Sequence, residues 1–392
     1  MRILQLGKFY PVRGGVEKVM WDLTRGLADR YAAGRNEADG NSVDGRTADI
    51  TCDMLCAMLP EDGFDEADGP LAASREGDWP RILQFAPGFR CICVKALAKK
   101  ASTMISPAMV RYLRRHASEY DIIHIHHPDP MACLALRLSG YKGRVFLHWH
   151  SDILSQKTLL RLYMPLQTWM LKRAERIIGT TPVYVRESPY LRPFLSKVCC
   201  LPIGIEDNLR PVSGGTPERS GNVRIFSLGR LVEYKGYRYL VEAAGYLPDD
   251  YEIRIGGDGP LRSELQAQID EGNLPVRLLG RLSDAQVREE MNGCDIFALP
   301  SVMKTEAFGI VQVEAMSCSK PVVATDIPGS GTGWVNAHGE SGLNVPPRDA
   351  EALGAAIVSL AADKESFGRR ARLRYENIFT LDSMLDSYME MI

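Results

Sequence analysis

The sequence lacks any uninterrupted apolar run of bilayer-spanning length, and its mean hydropathy is −0.15, so an integral membrane protein is not expected. The opening residues, MRILQLGKFYPVRGG, contain too short an apolar stretch for a signal peptide and predict a buried first strand. The nine cysteines are scattered and form no CxxC pair. Their spacing argues against a disulfide scaffold or a zinc motif and favours a reduced cytoplasmic protein.

Acidic residues are scarce in one part of the chain. Residues 79–202 contain 19 basic and 6 acidic residues, a balance of +13, although the whole chain has a net charge of only −2. Such a surface predicts an anionic partner, and the candidates are membrane headgroups, a phosphorylated substrate and nucleic acid. Uneven solvated charge is the simpler alternative.

The chain has ordinary globular composition, with 45% hydrophobic and 24% charged residues, and its 392 residues predict two domains. Apolar strand-like runs alternate with amphipathic helical patterns in both halves, which predicts an α/β fold with two doubly wound parallel sheets. A polar stretch rich in Gly, Pro and Ser near 203–222 marks the predicted boundary, giving domains at 1–202 and 203–375. The predicted strands lie at Arg2–Leu6, Ile50–Met58, Asp121–His126, Val145–His148, Val223–Leu228, Tyr251–Ile255, Val276–Leu279, Ile296–Leu299 and Val322–Ala324.

Three further segments carry structural predictions. Gly34–Asp49 is polar and is predicted to form a long mobile surface loop, and no role is assigned to the wider stretch 31–78. Cys93–His116 places apolar and basic residues at helical spacing around Pro107, which predicts a pair of basic amphipathic helices or an ordinary surface helix. The chain end from about Ala371 is predicted to be helical, with about 376–392 packing back on the first domain.

Two glycine-containing motifs follow predicted strands. Gly14 and Gly15 open a helix after the first strand, where backbone N–H groups bind phosphate oxygens or simply form a turn. In GRLVEYKG, Arg230 and Lys235 follow the first strand of the second half. Because open α/β sheets bind ligands at the carboxyl ends of their strands, this pair predicts a diphosphate clamp rather than a solvated loop.

The segment EAFGIVQVE holds two carboxylates eight positions apart, Glu306 and Glu314. Glu306 is predicted to lie in the loop before a helix, where it and the free N–H groups of Phe308, Gly309 and Ile310 bind hydroxyl groups. Glu314 is flanked by apolar residues and is therefore predicted to be largely buried, with a polar partner.

Five of the seven histidines fall within 27 residues, at the ends of two predicted strands. His148 and His150 end one of these strands, and the other ends in HIHH. The spacing matches no standard metal motif, and no cysteine joins the group. A polar site for sugar or phosphate contacts, or for proton transfer, is the favoured interpretation.

Together, GGVEKV, GRLVEYKG, GGDGPL and EAFGIVQVEAMSCSKPVVATDIPG resemble, in order and over nearly the whole chain, the retaining GT-B glycosyltransferases of family 4. The segment HWHSDI is similar to the bacterial polysaccharide subgroup, which includes mannosyltransferases. The resemblance implies two Rossmann-like domains facing a central crevice, and a hexosyltransferase whose best candidate donor is GDP-mannose. The segment PGSGTGWVN contains more glycines than the family pattern.

The resemblance also implies residue roles. Arg230 and Lys235, with the backbone at Gly15, would hold the distal phosphate of the donor, and His150 would lie beside the anomeric centre. No nucleophilic carboxylate is evident near His150, which suits a front-face mechanism in which the leaving diphosphate deprotonates the acceptor hydroxyl. No metal or other cofactor is expected, because Arg230 and Lys235 take the role that a divalent cation plays elsewhere.

On the same resemblance, Glu306 and the backbone of Phe308, Gly309 and Ile310 would bind the hydroxyls of the donor sugar, and Glu314 the nucleotide ribose. The implied acceptor is a polyprenyl-diphosphate-linked sugar or an oligosaccharide. The expected location is the cytoplasm, peripherally on the inner face of an anionic membrane. We expect no nucleic-acid partner.

Three alternatives compete with this interpretation. A sugar-nucleotide epimerase on the same fold would need carboxylates placed for proton abstraction, and the two glutamates fit donor binding better. A nicotinamide-dependent enzyme would carry G-x-G-x-x-G after the first strand, which is absent. A non-catalytic nucleotide-sugar-binding protein is disfavoured by the intact set Arg230, Lys235, Glu306 and Glu314.

Overall fold

The computed structural model describes residues 1–12, 14–37, 50–63, 70–75, 77–100, 103–154, 157–210 and 221–392. These residues form two compact units. Unit 1 comprises Met1–Thr180, Pro189–Leu201 and Met384–Ile392, and unit 2 comprises Thr181–Ser188 and Pro202–Ser383. The chain therefore crosses between the units more than once. The sequence pattern predicted a boundary near 203–222 and a chain end that packs back on the first domain, but not the assignment of Thr181–Ser188 to unit 2.

Unit 1 is built on a nine-stranded sheet in the order β11-β10-β9-β8-β1-β2-β5-β4-β3, with a separate hairpin, β6-β7. Its strands are β1 Arg2–Phe9, β2 Thr51–Met58, β3 Ala72–Ala73, β4 Arg81–Ala86, β5 Phe89–Lys95, β6 Ala98–Lys100, β7 Thr103–Ile105, β8 Ile122–His127, β9 Arg144–Trp149, β10 Arg176–Gly179 and β11 Val198–Cys200. Its helices are α1 Gly15–Glu37, α2 Pro107–His116, α3 Pro130–Ser139 and α4 Lys157–Arg173, while α5 Pro182–Glu187 lies in unit 2.

Unit 2 has a six-stranded, wholly parallel sheet in the order β14-β13-β12-β15-β16-β17. Its strands are β12 Val223–Leu228, β13 Tyr251–Gly256, β14 Val276–Gly280, β15 Ile296–Leu299, β16 Val322–Thr325 and β17 Gly342–Val345. Its helices are α6 Tyr237–Ala243, α7 Arg262–Gly272, α8 Asp284–Gly293, α9 Ile310–Ser317, α10 Thr332–Val335, α11 Ala350–Ala362 and α12 Lys364–Arg374. The last helix, α13 Leu381–Met389, begins in unit 2 and continues into unit 1.

The strand order locates the ligand-binding edge of each sheet. In unit 1 the order reverses at β1, which pairs in parallel with both β2 and β8. In unit 2 it reverses at β12, which pairs in parallel with β13 and β15. Open α/β sheets bind ligands beyond the carboxyl ends of the strands at such a reversal. The loops after β1 and β8, and those after β12 and β15, therefore occupy the expected positions for binding sites.

The prediction of two helices over Cys93–His116 is wrong for its first half. Cys93 and Val94 lie inside β5, which pairs with β2 and β4, and residues 98–105 contain the β6-β7 hairpin. Only Pro107–His116 is helical, because Pro107 occupies the first turn and the Ser106 side chain caps the helix by accepting from Met109 N. The basic residues Lys95, Lys99, Lys100, Arg111, Arg114 and Arg115 are exposed.

Two other predicted segments differ from the structure. The chain end is not one helix: α12 ends at Arg374, a π-helical turn follows over Tyr375–Phe379, and Thr380 is extended. The Thr380 hydroxyl accepts from Ser383 N and so starts α13 as a new helix. In the predicted loop Gly34–Asp49, residues 34–37 continue α1, and the rest of the loop before Ile50 lies outside the described residues.

Among the described residues, no helix combines the length and the apolar character that crossing a membrane requires.

Candidate active site

Lys235 and Glu306 form an ion pair where the loops after β12 and β15 meet. The Lys235 Nζ–Glu306 Oε2 distance is 2.5 Å, and both side chains are only 11% exposed. Ser301 Oγ donates to the same Glu306 oxygen at 2.9 Å. Within the described part of the chain, Glu306 Oε1 accepts no hydrogen bond. The pair therefore leaves one carboxylate oxygen of Glu306 free to bind a ligand.

The backbone around Lys235 explains its position. Gly236 ends the 3₁₀ turn Glu233–Lys235 at φ 67°, a conformation that favours glycine. A Cβ on Gly236 would also collide with the carbonyl oxygen of Pro300. Val302 N donates to Tyr234 O at 2.8 Å, which joins this turn to the loop after β15. The glycine of the sequence motif is thus needed to bring the lysine close to Glu306.

The environment of Lys235 keeps its ammonium charged. Burial lowers the pKa of Lys235, but the Glu306 carboxylate and the nearby hydroxyls of Tyr237 and Tyr234 raise it more, and the net pKa is above the usual value for lysine. A permanently charged group of this kind is suited to binding phosphate.

The loop that carries Glu306 is held by hydroxyl groups from neighbouring loops. Ser330 Oγ donates to the Glu306 carbonyl oxygen at 2.5 Å, and the Thr325 hydroxyl donates to the carbonyl oxygen of Ser301. Gly331 N donates to Ala307 O at 2.9 Å. The glycine-rich PGSGTG segment therefore braces the Glu306 loop.

The N-terminus of α9 follows directly after Phe308 and Gly309. Phe308 is buried, and Gly309 precedes the helix at φ 75°. The Gln312 side chain donates from Nε2 to the Phe308 carbonyl oxygen at 3.0 Å, and a Cβ on Gly309 would lie only 2.7 Å from that nitrogen. This bracing fixes the first turn of α9, whose backbone N–H groups begin at Ile310 and are available for oxygen atoms of a ligand.

Arg230 lies on the loop that carries Lys235, and Glu314 lies on α9, the helix that follows Glu306. The two side chains differ in exposure. Arg230 is exposed, five positions before Lys235 on the loop after β12. Glu314 is on α9 and is half-buried, so it is less sequestered than its apolar neighbours predicted. As predicted, Glu306 precedes the helix rather than sharing it. In unit 2, the structure joins two of the predicted site residues, Lys235 and Glu306, in an ion pair that the sequence did not predict.

His150 and Gly15 belong to unit 1. His150 directly follows β9 and is 5% exposed. Its Nε2 lies 2.9 Å from His126 Nδ1, and its ring stacks on His148 with centroids 4.1 Å apart. Burial, with a smaller contribution from the neighbouring His148, lowers the pKa of His150 well below its usual value, so the ring is neutral near pH 7. Gly15 is exposed at the first position of α1.

A second group lies at the reversal point of unit 1. Lys8 lies at the carboxyl end of β1 with φ 61° and donates from Nζ to Pro128 O at 2.6 Å. Asp129, just after β8, accepts from Lys8 N at 2.5 Å and from Ala132 N at 3.0 Å. Both oxygens of Asp129 thereby fix loops, and its pKa is raised because burial outweighs the nearby Lys8 ammonium. These contacts set the backbone beside the histidines.

Five residues that hold the loops of the site were not predicted from the sequence: Lys8, Asp129, Ser301, Gln312 and Ser330. Asp129 had a recognisable signal, because an aspartate followed by Pro130 is a common helix start, and it caps α3. Ser330 lies inside the glycine-rich segment whose extra glycines were noted. Ser301 and Gln312 carried no signal, since their partners are defined only by the folded loops.

Comparison with known proteins agrees with this architecture. Residues 214–377 match the family model for group 1 glycosyl transferases, and residues 75–205 match the model for glycosyltransferase family 4. Over 404 aligned residues the chain is 30% identical to O-antigen chain mannosyltransferase C of Escherichia coli, with 100% of this chain and 98% of the relative covered. It is 33% identical over 289 residues to D-rhamnosyltransferase WbpZ of Pseudomonas aeruginosa, with 71% and 75% covered.

The fold has solved counterparts. The crystal structure of Anabaena HepE in complex with UDP aligns with a TM-score of 0.73 at 20% sequence identity, covering 100% of this chain and 99% of that one. This similarity shows the GT-B fold, with two Rossmann-like units.

Proposed function

The chain belongs to glycosyltransferase family 4, and from this premise we propose that it transfers mannose from GDP-mannose to a lipid-linked or saccharide acceptor, with retention of anomeric configuration. That it is a glycosyltransferase follows from the family itself. The donor is supported by the full-length similarity to an O-antigen mannosyltransferase. The observation that carries the proposal is the buried Lys235–Glu306 pair at the reversal point of the unit 2 sheet.

We assign the donor contacts as follows. Lys235 and the exposed Arg230 bind the diphosphate, because one presents a buried point charge and the other a planar fork of donors. The free Oε1 of Glu306 accepts from a sugar hydroxyl, and the first N–H groups of α9 bind sugar oxygens. Glu314, further along α9, contacts the ribose, and the backbone at Gly15 contributes to phosphate binding.

The proposed chemistry uses the charge that develops on the leaving diphosphate. As the bond between the anomeric carbon and the phosphate oxygen breaks, negative charge grows next to Lys235 and Arg230, which stabilise it. The leaving phosphate oxygen takes the proton of the acceptor hydroxyl, which attacks from the same face. His150, neutral and buried, contacts the donor sugar. In this scheme the two cations replace a divalent metal, so activity should be unchanged by a chelator.

The donor is tested with a panel of nucleotide sugars. Purified protein is incubated with GDP-mannose, GDP-glucose, UDP-glucose and ADP-glucose, and release of nucleoside diphosphate is measured with and without EDTA. We expect the highest kcat/KM with GDP-mannose, and equal rates with and without EDTA. A clear preference for a UDP-sugar would refute the donor assignment, and loss of activity in EDTA would refute the metal-free scheme.

The acceptor proposal rests on the exposed basic face of unit 1, defined here as Lys95, Lys99, Lys100, Arg111, Arg114 and Arg115. Two apolar side chains accompany the lysines at the β6-β7 hairpin: Leu97 is 68% exposed and Ile105 is 40% exposed. Cationic and apolar groups side by side are what an anionic membrane interface binds. We propose that this face docks on the inner face of the cytoplasmic membrane, where a polyprenyl-diphosphate-linked acceptor would be anchored.

Membrane docking is expected to be electrostatic and reversible. Each basic residue near an anionic surface contributes about 1 kcal/mol, and salt screens this contribution. Liposome co-sedimentation should therefore show binding to phosphatidylglycerol vesicles at low salt and little binding to phosphatidylcholine vesicles or at high salt. The triple variant Lys95/Lys99/Lys100→Glu should abolish binding.

A matched control reverses three exposed arginines of unit 2, Arg238/Arg281/Arg369→Glu, which changes the net charge equally. This control should still bind the vesicles. An equal loss of vesicle binding in both triple variants would show that only net charge matters. Vesicle binding that does not depend on lipid charge would refute docking through the basic face.

A further inference from the structure

Four of the five clustered histidines stack as a column of rings on one face of β8 and β9. In the parallel register His126 lies opposite His148. His124 is two residues before His126 on β8, and His150 is two residues after His148, just beyond the end of β9. The angles between ring planes are 1° for His124 and His148 and 14° for His148 and His150, and they reach 29° for His126 against His124 and His148. All four rings are at most 5% exposed. Hydrogen bonds within this column therefore cannot be exchanged freely with water.

One hydrogen-bonded chain runs through the column and ends at His150. His150 Nε2 lies 2.9 Å from His126 Nδ1, and His126 Nε2 lies 2.8 Å from Gln5 Oε1 on β1. The Gln5 amide nitrogen faces Cys52 Sγ at 3.8 Å, which leaves its oxygen for His126. His148 contacts the same rings, yet neither of its ring nitrogens has a hydrogen-bond partner among the described residues.

The hydrogen bonds from His150 through His126 to Gln5 fix which nitrogen of His126 and of His150 carries the proton. The Gln5 oxygen has no proton, so His126 must donate to it from Nε2. A neutral histidine has one N–H, and His126 Nδ1 is therefore an acceptor. His150 must then donate to it from Nε2, which leaves His150 Nδ1 unprotonated. No described residue hydrogen-bonds to His150 Nδ1.

We propose that Gln5 and His126 are positioning residues that hold His150 in its Nε2–H tautomer, so that its Nδ1 accepts a hydrogen bond from a hydroxyl of the donor sugar. The contact with the sugar rests on the function proposed above, whereas the tautomer does not. A hydroxyl group can donate to an unprotonated nitrogen, but a ring with the opposite tautomer would present an N–H and would have to find an acceptor. The protonation of His126 thus determines what His150 offers the substrate.

The tautomer is read directly by long-range ¹H–¹⁵N correlation spectra of protein labelled in histidine nitrogen, recorded without donor near pH 7.5. Wild type should show His150 neutral with its proton on Nε2. Gln5→Met removes the acceptor while keeping the chain length, and His126→Phe removes the ring nitrogens; both should give His150 as a mixture of tautomers. The matched control is His148→Phe, the same substitution in a ring that stacks on His150 without a hydrogen bond, and it should leave the His150 signals unchanged.

Activity gives the second readout. Gln5→Met and His126→Phe should lower kcat/KM for the donor about tenfold, the factor that corresponds to one neutral hydrogen bond, while the KM for the acceptor is unchanged. The control should stay within about twofold of wild type.

The two readouts separate the possible failures. A wild-type His150 that is cationic or carries its proton on Nδ1 would overturn the proposal, as would a tautomer that neither Gln5→Met nor His126→Phe changes. Confirmed tautomers with unchanged kinetics would instead refute the contact between His150 and the donor sugar.

Discussion

Replacing Arg230 or Lys235 by alanine should lower kcat by a factor of about 10²–10³. Each cation is placed to stabilise the charge on the departing diphosphate, and removing one such contact from an active site typically costs about 2.7–4 kcal/mol of transition-state stabilisation. The measurement is steady-state kinetics with GDP-mannose. The control is Arg281→Ala, an exposed arginine of unit 2 that we place in no role, which should retain full activity.

The two variants should differ in stability. Arg230 is exposed, so its removal should leave the free energy of unfolding nearly unchanged. Lys235 neutralises Glu306, and each of the two side chains is 11% exposed. Removing the lysine therefore leaves a mostly buried carboxylate without its cation. Breaking a buried pair costs about 3–5 kcal/mol, and partial exposure places this pair at the lower end. Urea unfolding should therefore show a loss of about 3 kcal/mol for Lys235→Ala only.

Adding Glu306→Gln to Lys235→Ala should recover part of the lost stability, because the uncompensated charge is removed, but should not recover activity. Turnover within threefold of wild type in either single variant would refute the diphosphate clamp. Equal stability of wild type and Lys235→Ala would refute the ion pair.

Mild acid should strongly destabilise unit 1. Five histidines, His124, His126, His127, His148 and His150, are at most 5% exposed. Burial is the largest cause that lowers the pKa of each one, to about 3 for His148 and well below the usual value for the other four. In the unfolded chain the same side chains titrate near pH 6.5. Between these values the unfolded state binds protons that the folded state does not.

Stability therefore falls as the pH drops below about 6.5, and continues to fall until the pH reaches the folded-state values. At pH 5.5 each such histidine costs about 1.4 kcal/mol, so the five together cost about 7 kcal/mol. Domains are stable by about 5–15 kcal/mol, so a loss of this size takes the unit to the edge of unfolding.

The test is urea unfolding at several pH values, followed by tryptophan fluorescence. Trp149 is a suitable probe, because it is buried and stacks on His127 with centroids 3.8 Å apart. We expect the unfolding free energy of unit 1 to fall steeply from pH 7 to pH 5.5. His148→Phe removes one titrating ring and should reduce that fall by about one-fifth. A free energy of unfolding that is constant over this pH range would show that the rings are accessible to protons in the folded state.

The sequence predicted the central strands well and the edges poorly. The predicted strands at Val223–Leu228 and Ile296–Leu299 coincide with β12 and β15. β15 is buried along its whole length and therefore reads as a continuous apolar run. Cys93–His116 failed because basic residues on the hairpin and on α2 alternate with apolar ones at a spacing that also suits a helix. Periodicity alone could not separate β5 and a short hairpin from a helix.

In the site, individual residues could be predicted from local motifs, but the contacts between distant residues could not. Lys235 and Glu306 were recognisable because motif spacing placed them after strands, although their contact spans 71 positions and appears only in the folded chain. Gln5 lies on β1, His126 on β8 and His150 just after β9, and the hydrogen bonds that join them have no local signature. Tyr388 of α13 contacts His124 across 264 positions. Contacts between residues so far apart in the sequence cannot be predicted from local sequence patterns.

Transfer of mannose with retention is tested by the anomeric configuration of the product. The protein is incubated with GDP-mannose labelled with ¹³C at the anomeric carbon and with a synthetic polyprenyl-diphosphate-linked saccharide. The one-bond carbon–proton coupling at the labelled carbon of the product then reports the linkage. We expect a labelled α-mannoside that forms with wild type and not with Arg230→Ala. A β-linked product, or GDP release without any labelled glycolipid, would contradict it.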